Sequence, residues 1–522
     1  MAHYTRTDLE TREGPKAAAP SIPEETDVLI VGAGMSGLYV AWRLLDQEKP
    51  PSVCILEKMD RTGGRLDSDV VHFPDHEDVK EEEGGMRFTF DGMDDLMTLF
   101  VELGLEDQIV PFPMNSGGNN RLYFRGRAFT NREAKEGGYK VWSELYNLDE
   151  AERGINPSEM INTVFNRLLA ANPQLKLPAD GRTPEFWQCF RLDCSWHGVT
   201  LKDWTLWGLL DEMGYSNECI TMLYRVLGFN GTFLSEMSAG EAFQLLADFP
   251  ADPQFRTLAD GFSGLPNALV EQIGMDSIFL DTAVHRIEKV DGGYTVAYTR
   301  DGEQAEIRAK KIVLAIPRLA LEKLYVGSDL LNRMESRGDA EALWDNLQTT
   351  TQQSLLKINL YYDKAWWGND LSGRPDVSFG PNFADLPLGS VYPFYAIDPA
   401  LSAAAEYHEW LVAHNQPPSD IGADKLAEIN ADKYKRPAAL TIYCDYLNIN
   451  FWRGLQETGE MFDSSMQREA SDKTPQTIYP ASVEVVAAAT SLFKKLFNTH
   501  HVPQPVLTSA RIWSGTTRFD AP

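Results

Sequence analysis

Residues 26–45 read TDVLIVGAGMSGLYVAWRLL and residues 55–66 read ILEKMDRTGGRL, and these two stretches decide the fold. Residues 27–31 form a short apolar run typical of a buried parallel strand, and an apolar helical pattern begins directly after the glycines. These glycines have the spacing G-x-G-x-x-G and are Gly32, Gly34 and Gly37. The order of strand, glycine loop and helix predicts the first unit of a dinucleotide-binding domain.

Each glycine of this loop has its own physical task. Gly32 allows the tight turn, Gly34 lets the backbone approach a pyrophosphate, and Gly37 lets the helix pack close to the strand. The helix then begins with Met35 and Ser36. We expect their backbone N–H groups to face the phosphates, because a helix N-terminus offers free donors and a partial positive charge.

An acidic residue follows the second apolar run, residues 53–56. This residue is Glu57, and it lies about twenty residues beyond Gly37, where the ribose-binding carboxylate of such domains is expected. A carboxylate there would repel a 2′-phosphate. The ligand is therefore predicted to be an NAD- or FAD-type nucleotide rather than NADP, with Lys58 as a further contact.

The composition is that of an acidic globular protein. The chain has 522 residues, of which 43% are hydrophobic, and its formal net charge is −28. This length exceeds one ordinary hydrophobic core, so two or three domains are expected. The negative charge argues against nucleic acid and anionic membrane surfaces as partners.

The cysteines and the N-terminus give no sign of a metal site or a targeting signal. The five cysteines include no C-x-x-C pair, and only His197 lies near the two closest, Cys189 and Cys194. We expect buried thiols and no metal. Residues 1–25 are polar and lack a signal-peptide core, and no apolar run is long enough for a membrane span. We expect a flexible arm and a cytoplasmic protein, with a processed secreted form as the alternative.

Alternating and helical patterns mark the remaining elements. Residues 121–129 predict a hairpin, and the acidic residues 76–83 predict a solvated loop. Apolar residues three and four apart, as in 158–171 and 239–246, predict a helical insertion. Further strands are predicted at 282–290, 293–299, 311–316, 355–362, 439–446 and 506–513, and a helix at 483–497.

Three further segments resemble those of a known family. Residues 61–65 read RTGGR, residues 83–87 read EGGMR, and KIVLAIP at 311–317 is followed by a strand that contains Lys357. With the first motif and in this order, they resemble the flavin amine oxidase superfamily, which includes monoamine, polyamine and L-amino-acid oxidases. Within it the chain is most similar to an L-amino-acid oxidase.

The resemblance implies a mixed α/β fold with FAD as the cofactor. A Rossmann-like FAD-binding domain would comprise residues 26–90 and 250–325. A mixed-sheet substrate-binding domain would comprise residues 91–138 and 326–505, with a helical domain at 139–249. The family also leads us to expect a homodimer or a higher homo-oligomer.

The resemblance further implies contacts to FAD beyond Glu57. The RTGGR segment is similar to the family's second FAD motif, and the EGGMR segment resembles the one that passes over the flavin ring. The strand at 282–290 is similar to the one whose backbone touches the adenine. The predicted contacts in these segments are Gly64, Arg65, Gly84, Gly85, Met86, Arg87 and Val284.

By the same resemblance, three residues are predicted at the reaction centre. Arg87 would grip the substrate carboxylate, for which a guanidinium fork is suited, and a structural salt bridge is the alternative. Lys357 matches the lysine that holds a water at flavin N5 and assists the reaction with oxygen, and a surface lysine is the alternative. Tyr443 matches the tyrosine that supports the arginine, with Tyr446 as its rival. Trp513 would help to wall the site.

The resemblance implies FAD-dependent oxidative deamination of L-amino acids to 2-oxo acids, ammonia and hydrogen peroxide. Monoamine or polyamine oxidation and amino-acid monooxygenation remain alternatives on the same scaffold. Family members continue into a segment similar to G-E-x-T…G-W, which this sequence lacks. We therefore also consider a fragment that is a non-catalytic flavoprotein. Large apolar or aromatic side chains are a candidate preference, and an acid such as Asp445 would instead select cationic ones.

Overall fold

The computed structural model describes residues 21–90, 93–112, 114, 118–176, 183–226, 237–247, 255–328, 337–350, 354–368, 379–397, 432–468 and 479–513. They form a mixed α/β structure with two large sheets. The strands are β1 (Glu25–Val31), β2 (Val53–Leu56), β3 (Ser68–Val71), β4 (Val79–Glu82), β5 (Ile109–Pro111), β6 (Arg121–Phe124), β7 (Arg127–Thr130), β8 (Ser195–Trp196), β9 (Val199–Thr200), β10 (Arg256–Leu258), β11 (Ile278–Phe279), β12 (Thr282–Val290), β13 (Gly293–Arg300), β14 (Glu303–Leu314), β15 (Leu355–Tyr362), β16 (Asn382–Ala384), β17 (Ser390–Tyr395), β18 (Ala438–Asp445) and β19 (Leu507–Trp513).

Helices connect and cover these strands. The α-helices are α1 (Met35–Leu45), α2 (Asp94–Leu103), α3 (Asn131–Glu136), α4 (Lys140–Leu145), α5 (Pro157–Ala171), α6 (Pro184–Leu192), α7 (Leu206–Glu212), α8 (Asn217–Val226), α9 (Ala239–Ala247), α10 (Gly264–Ile273), α11 (Arg318–Gly327), α12 (Arg337–Gln348), α13 (Tyr446–Thr458) and α14 (Val483–Leu496). Among the described residues, we find no helix with the length and apolar character needed to cross a bilayer.

The first large sheet contains the glycine loop and has the strand order β11-β2-β1-β14-β13-β12. Strand β1 lies between β2 and β14 and is parallel to both, so the predicted strand at 27–31 is confirmed as a buried parallel strand. The strand predicted at 311–316 is only the end of β14. This strand begins at Glu303 because its first half pairs antiparallel with β13 and its second half parallel with β1.

The second large sheet has the order β19-β15-β18-β17-β16-β6-β7, and its first four strands are antiparallel to their neighbours. Helices α13 and α14 pack on one face around a core that includes Trp367, Trp452 and Phe493. The strands predicted at 355–362, 439–446 and 506–513 are confirmed to within one residue. Tyr446 begins α13 instead of ending β18.

The predicted helices and hairpin outside the sheets' centres are also present. Helices α5 and α9 confirm the helices predicted at 158–171 and 239–246 to within one residue. Their shared core contains Trp187, Phe190 and Phe243, and β6 and β7 of the predicted hairpin add side chains to it. The helical layer is therefore packed against the edge of the second sheet.

The acidic segment 76–83 was predicted as a solvated loop. Its second half instead forms the buried strand β4. Strand β4 pairs antiparallel with β3 in a two-stranded ribbon. The side chains of Glu81, Glu82 and Glu83 are 1%, 5% and 0% exposed. The prediction was wrong because the partners of these acids lie hundreds of positions away in the sequence, as in the hydrogen bond from Ser509 to Glu83.

Candidate active site

The glycine loop has the geometry of a phosphate-binding turn. Gly32 follows β1 with a positive φ of 104°, and a Cβ atom there would lie 2.6 Å from the carbonyl oxygen of Ala315. A Cβ atom on Gly37 would lie 1.9 Å from the Gly32 oxygen, so α1 packs against the loop more closely than any side chain permits. The predicted tasks of these two glycines, the turn and the close packing, are confirmed.

The two glycine motifs meet in one cradle. Gly34 forms a backbone bridge with Gly63, and the Gly63 N–H donates to the Ala33 oxygen at 3.0 Å. Gly64 has a φ of +58°, and a Cβ atom there would lie 3.0 Å from the Gly34 Cα. Bare backbone from both segments therefore lines the N-terminus of α1, where Met35 is half-buried and Ser36 is exposed.

Acidic and basic side chains flank this cradle. Glu57 accepts hydrogen bonds from the Ala33 N–H at 2.7 Å and the Met59 N–H at 2.8 Å, and burial raises its pKa. Lys58 and Arg65 are exposed, whereas Arg61 is buried and donates to the Gly64 oxygen. The glycine backbone, the carboxylate at the end of β2 and a helix N-terminus suit the ribose and phosphates of FAD.

Val284 lies farther along the same sheet. It is half-buried in β12 opposite Tyr298, at a bulge in the pairing of β12 and β13. Its backbone contact with adenine stays a prediction. His285 follows it on the same strand.

The EGGMR segment passes directly beside the second glycine motif. A Cβ atom on Gly84 would lie 1.9 Å from the Arg65 oxygen, and one on Gly85 would lie 2.8 Å from the Leu66 side chain. Within the protein, these glycines are thus needed for the contact between the two segments. The contact fixes Met86 and Arg87 next to the cradle.

The guanidinium group of Arg87 lies within an aromatic enclosure. Its Cζ atom is 4.8 Å from the ring centre of Phe255, 5.5 Å from that of Tyr392 and 5.8 Å from that of Phe112. Nη1 donates a hydrogen bond to the Tyr392 hydroxyl at 3.1 Å. In the described part of the chain, no carboxylate forms an ion pair with Arg87. The alternative interpretation, a structural salt bridge, therefore has no support there.

Lys357 is 2% exposed and is not a surface lysine. Its Nζ donates to the Glu82 oxygen at 2.6 Å and the Gly84 oxygen at 2.8 Å, which joins β15 to the EGGMR segment. Burial lowers the pKa of Lys357, and the negative charges of the neighbouring glutamates oppose this effect. The lysine and Arg87 are therefore held by one short stretch of backbone.

The tyrosine that is hydrogen-bonded to Arg87 in the structure was not predicted from the sequence. This residue is Tyr392 on β17. Tyr443 instead lies opposite Lys357 in the pairing of β15 and β18, with its ring centre 5.4 Å from Nζ. The sequence SVYPFY of β17 gives no signal for the role of Tyr392, because only the strand order places it beside Arg87.

Other predicted residues have simpler placements. Trp513 is 9% exposed, and its Nε1 donates to the Glu83 oxygen at 2.6 Å. The side chains of Asp445 and Tyr446 lie outside the described residues. The described residues contain no group of three or more metal-ligating side chains that could hold a metal ion.

Comparisons with known proteins agree with this geometry. The family profile described as flavin containing amine oxidoreductase matches residues 35–412, well over half of the chain. Achacin from Lissachatina fulica is 28% identical over 382 residues, which are 70% of this chain and 65% of achacin. Aplysianin-A from Aplysia kurodai is 25% identical over 393 residues, which are 71% of this chain and 64% of that protein. The chain thus spans somewhat less than two thirds of these relatives.

Solved structures show the same fold at low sequence identity. Cyclohexylamine oxidase from Brevibacterium oxydans has a TM-score of 0.53 and 17% identity, covering 95% of this chain and 86% of that one. A double mutant of putrescine oxidase has a TM-score of 0.51 and 16% identity with the same coverage. The matched profile shows that the chain belongs to the flavin containing amine oxidoreductase family, and the cradle fits FAD as its cofactor.

Proposed function

We propose that this protein oxidatively deaminates L-amino acids with molecular oxygen as the electron acceptor. The observation that carries the proposal is the setting of Arg87. Its guanidinium group is half-buried among aromatic rings, donates one hydrogen bond to Tyr392, and has no carboxylate partner in the described part of the chain. Its remaining N–H groups suit a bidentate bond to a substrate carboxylate.

A positive charge at this place favours amino acids over simple amines. A protonated amine without a carboxylate would be repelled by Arg87 and would gain no hydrogen bond from it. An amino acid brings the complementary negative charge. The solved amine oxidases support the fold alone, so the proposed substrate class rests on Arg87.

The residues of the chain bind and orient the substrate in this proposal. Bound FAD supplies the redox chemistry, as acceptor of a hydride from Cα and donor of electrons to oxygen. Arg87 and Tyr392 fix the carboxylate and thereby the direction of the Cα–H bond. The neutral amine of the substrate assists as the hydride leaves, so no side chain need act as a strong base. We assign to Lys357 the role of holding a water that assists the reaction with oxygen.

The test is a peroxide assay of the FAD-supplemented protein with L-amino acids, D-amino acids and simple amines. Peroxide and ammonia from L-amino acids alone support the proposal. Peroxide from cyclohexylamine-like or diamine substrates, with none from amino acids, would make the protein an amine oxidase instead. Carbon dioxide and an amide in place of peroxide would make it a monooxygenase.

A further inference from the structure

Three buried charged residues link the second glycine motif to the second large sheet. Asp67 follows the RTGGR segment by two residues and leads into β3. Its Oδ2 atom lies 3.1 Å from Nη2 of Arg61 and 2.7 Å from Nη2 of Arg511. All three residues are at most 2% exposed. We call Arg61, Asp67 and Arg511 the buried triad.

Arg61 is the member of the buried triad that contacts the cofactor cradle. Its Nη1 donates to the Thr62 oxygen at 3.1 Å, and its Nη2 donates to the Gly64 oxygen at 2.9 Å. The same Nη2 atom contacts Asp67, so one nitrogen joins the carboxyl group to the glycine turn. Arg61 therefore holds the carbonyl groups of the turn that brings Gly64 against Gly34.

Arg511 is the member of the triad that belongs to the second sheet. It lies in β19, where side chains two apart share a face. On this face Ser509 donates to the Glu83 carboxyl group, and Trp513 donates to the Glu83 backbone oxygen at 2.6 Å. The residues between them face the apolar core of the second sheet. Strand β19 is thus docked against the segments beside the cradle by hydrogen bonds and an ion pair.

Asp67 is the junction of these contacts. Besides the two arginines, it binds the EGGMR segment, because its backbone oxygen accepts from the Glu83 N–H at 2.7 Å. One residue therefore contacts the glycine turn through Arg61, the EGGMR segment through its backbone, and β19 through Arg511. These are the parts of the molecule between which the cofactor and the substrate would lie.

A buried ion triad favours its complete form. Breaking a buried ion pair is costly, because the charge left behind has no partner and no water. Strand β19 is the outermost strand of its sheet, and such edge elements open locally more readily than central ones. When β19 opens, Arg511 leaves Asp67, and Arg61 loses the fixed carboxyl group that holds it against the glycine turn.

We propose that Asp67 couples FAD binding to the docking of β19. The glycine turn binds FAD in the shape that Arg61 holds, and the complete triad stabilises that shape. Docked β19 therefore raises the affinity for FAD, and bound FAD stabilises docked β19 by the same factor. Asp67 and Arg511 are positioning residues that act on the cofactor through Arg61. The coupling does not depend on the substrate class proposed above.

The first test compares variants that each lose one buried arginine. Arg511→Met keeps an apolar stem of similar length and removes the ion pair with Asp67. We expect the Kd for FAD, measured by flavin fluorescence without substrate, to rise about 10-fold, the usual effect of one hydrogen bond to a charged group. An unchanged Kd in a folded Arg511→Met protein would refute the coupling.

Arg121→Met is the matched control for this substitution. Arg121 is also 2% exposed, but it lies in β6, five strands away from β19 in the same sheet. Its loss should lower the melting temperature without a comparable rise in the Kd for FAD. A rise in Kd equal to that of Arg511→Met would show that losing any buried arginine has this effect, against the proposal.

The second test asks whether Arg511 acts through Arg61. Arg61→Met should itself weaken FAD binding, because the Gly64 oxygen loses its donor. With Arg61 already replaced, Arg511→Met should raise the Kd little further, because residues that act in one network are not additive. If the two substitutions instead multiply as independent effects, the route through Asp67 is wrong.

The third test uses the wild type, so it holds even where a variant does not fold. Amide hydrogen exchange in β19 should slow when FAD is added to the FAD-free protein, and the β6–β7 hairpin at the opposite edge of the sheet should change far less. Equal exchange of β19 with and without FAD would overturn the coupling. No turnover is measured, so a protein that forms no peroxide from L-amino acids would refute the substrate class alone.

Discussion

At the scale of single residues, Arg87 is the side chain on which substrate choice depends. Arg87→Ala should raise the KM for L-amino acids about 100-fold, because a charged bidentate hydrogen bond is lost. The KM for simple amines, measured in the same peroxide assay, should change far less. An equal rise for both substrate classes would refute carboxylate binding by this residue.

Tyr392 gives a finer test of the same site. Tyr392→Phe removes the hydroxyl that accepts from Arg87 but keeps the ring that packs beside it. We expect a rise in KM for amino acids of roughly 10-fold, the usual effect of one hydrogen bond to a charged group. Tyr443→Phe is the matched control and should leave this KM closer to the wild-type value, because its ring lies beside Lys357.

Lys357 should matter to the second half of the reaction. Lys357→Met keeps the apolar stem and removes the amine that bonds to the Glu82 and Gly84 oxygens. Stopped-flow absorbance should show flavin reoxidation by oxygen slowed by about 100-fold, with flavin reduction by substrate less affected. Equal slowing of both half-reactions would instead indicate a general distortion of the site.

What the sequence could predict at this scale depends on local context. Arg87 and Lys357 stand in segments whose neighbours identify them, a pair of glycines in one case and an apolar strand in the other. Tyr392 has no such context, because its relation to Arg87 arises from the order of strands in the second sheet. A contact between residues 305 positions apart in the sequence produces no local pattern in either segment.

At the scale of elements, the contact of α1 with β1 depends on a missing side chain. Gly37→Ala would place a methyl group 1.9 Å from the Gly32 oxygen, so the helix must move away from the loop. We expect a lower melting temperature and FAD affinity reduced by at least about 10-fold, measured by flavin fluorescence.

Gly454→Ala is the control for this substitution. Gly454 lies within α13 with nothing near its Cβ position, so alanine there should be neutral or stabilise the protein by up to about 1 kcal/mol. Equal losses of FAD affinity in both variants would contradict the role assigned to the close packing at Gly37.

The ribbon shows where element prediction from sequence fails. The strands at 27–31, 53–56 and 355–362 were predictable because apolar runs reveal buried strands. Strand β4 contains VKEE, and acidic residues are normally exposed. The burial of the ribbon depends on Arg61, Arg511 and Lys357, which face it. The last two lie far beyond the few residues that any local sequence pattern covers.

At the scale of the whole molecule, the buried acids should make stability depend on pH. Burial raises the pKa of Glu82 from about 4.5 to about 7, so between these values the folded protein holds a proton that the unfolded chain has released. The free energy of unfolding should therefore fall by up to about 3 kcal/mol as pH rises through this window.

Urea unfolding of Glu82→Gln tests this dependence. The variant should be about as stable as the wild type at low pH, because its amide resembles the protonated carboxyl group in accepting from the Phe262 N–H and donating to the Ser68 hydroxyl. Its stability should vary less with pH. Glu77→Gln is the control, because Glu77 is exposed, and its stability should depend on pH as in the wild type. An equal dependence on pH in all three proteins would show that Glu82 does not titrate in this range.

The position of β19 has a consequence for biosynthesis. Its residues Ser509 and Arg511 donate hydrogen bonds to Glu83 and Asp67, which lie 426 and 444 positions earlier, and Arg511 also balances the charge of Asp67. A growing chain leaves the ribosome with its N-terminal part first. The β3–β4 ribbon and its acids would then leave the ribosome long before β19, the strand that balances their charge. Until β19 is made, these carboxylates must stay hydrated. Closure of the molecule is thus a late event, and a ribosome that stalls before β19 leaves a charged, open centre.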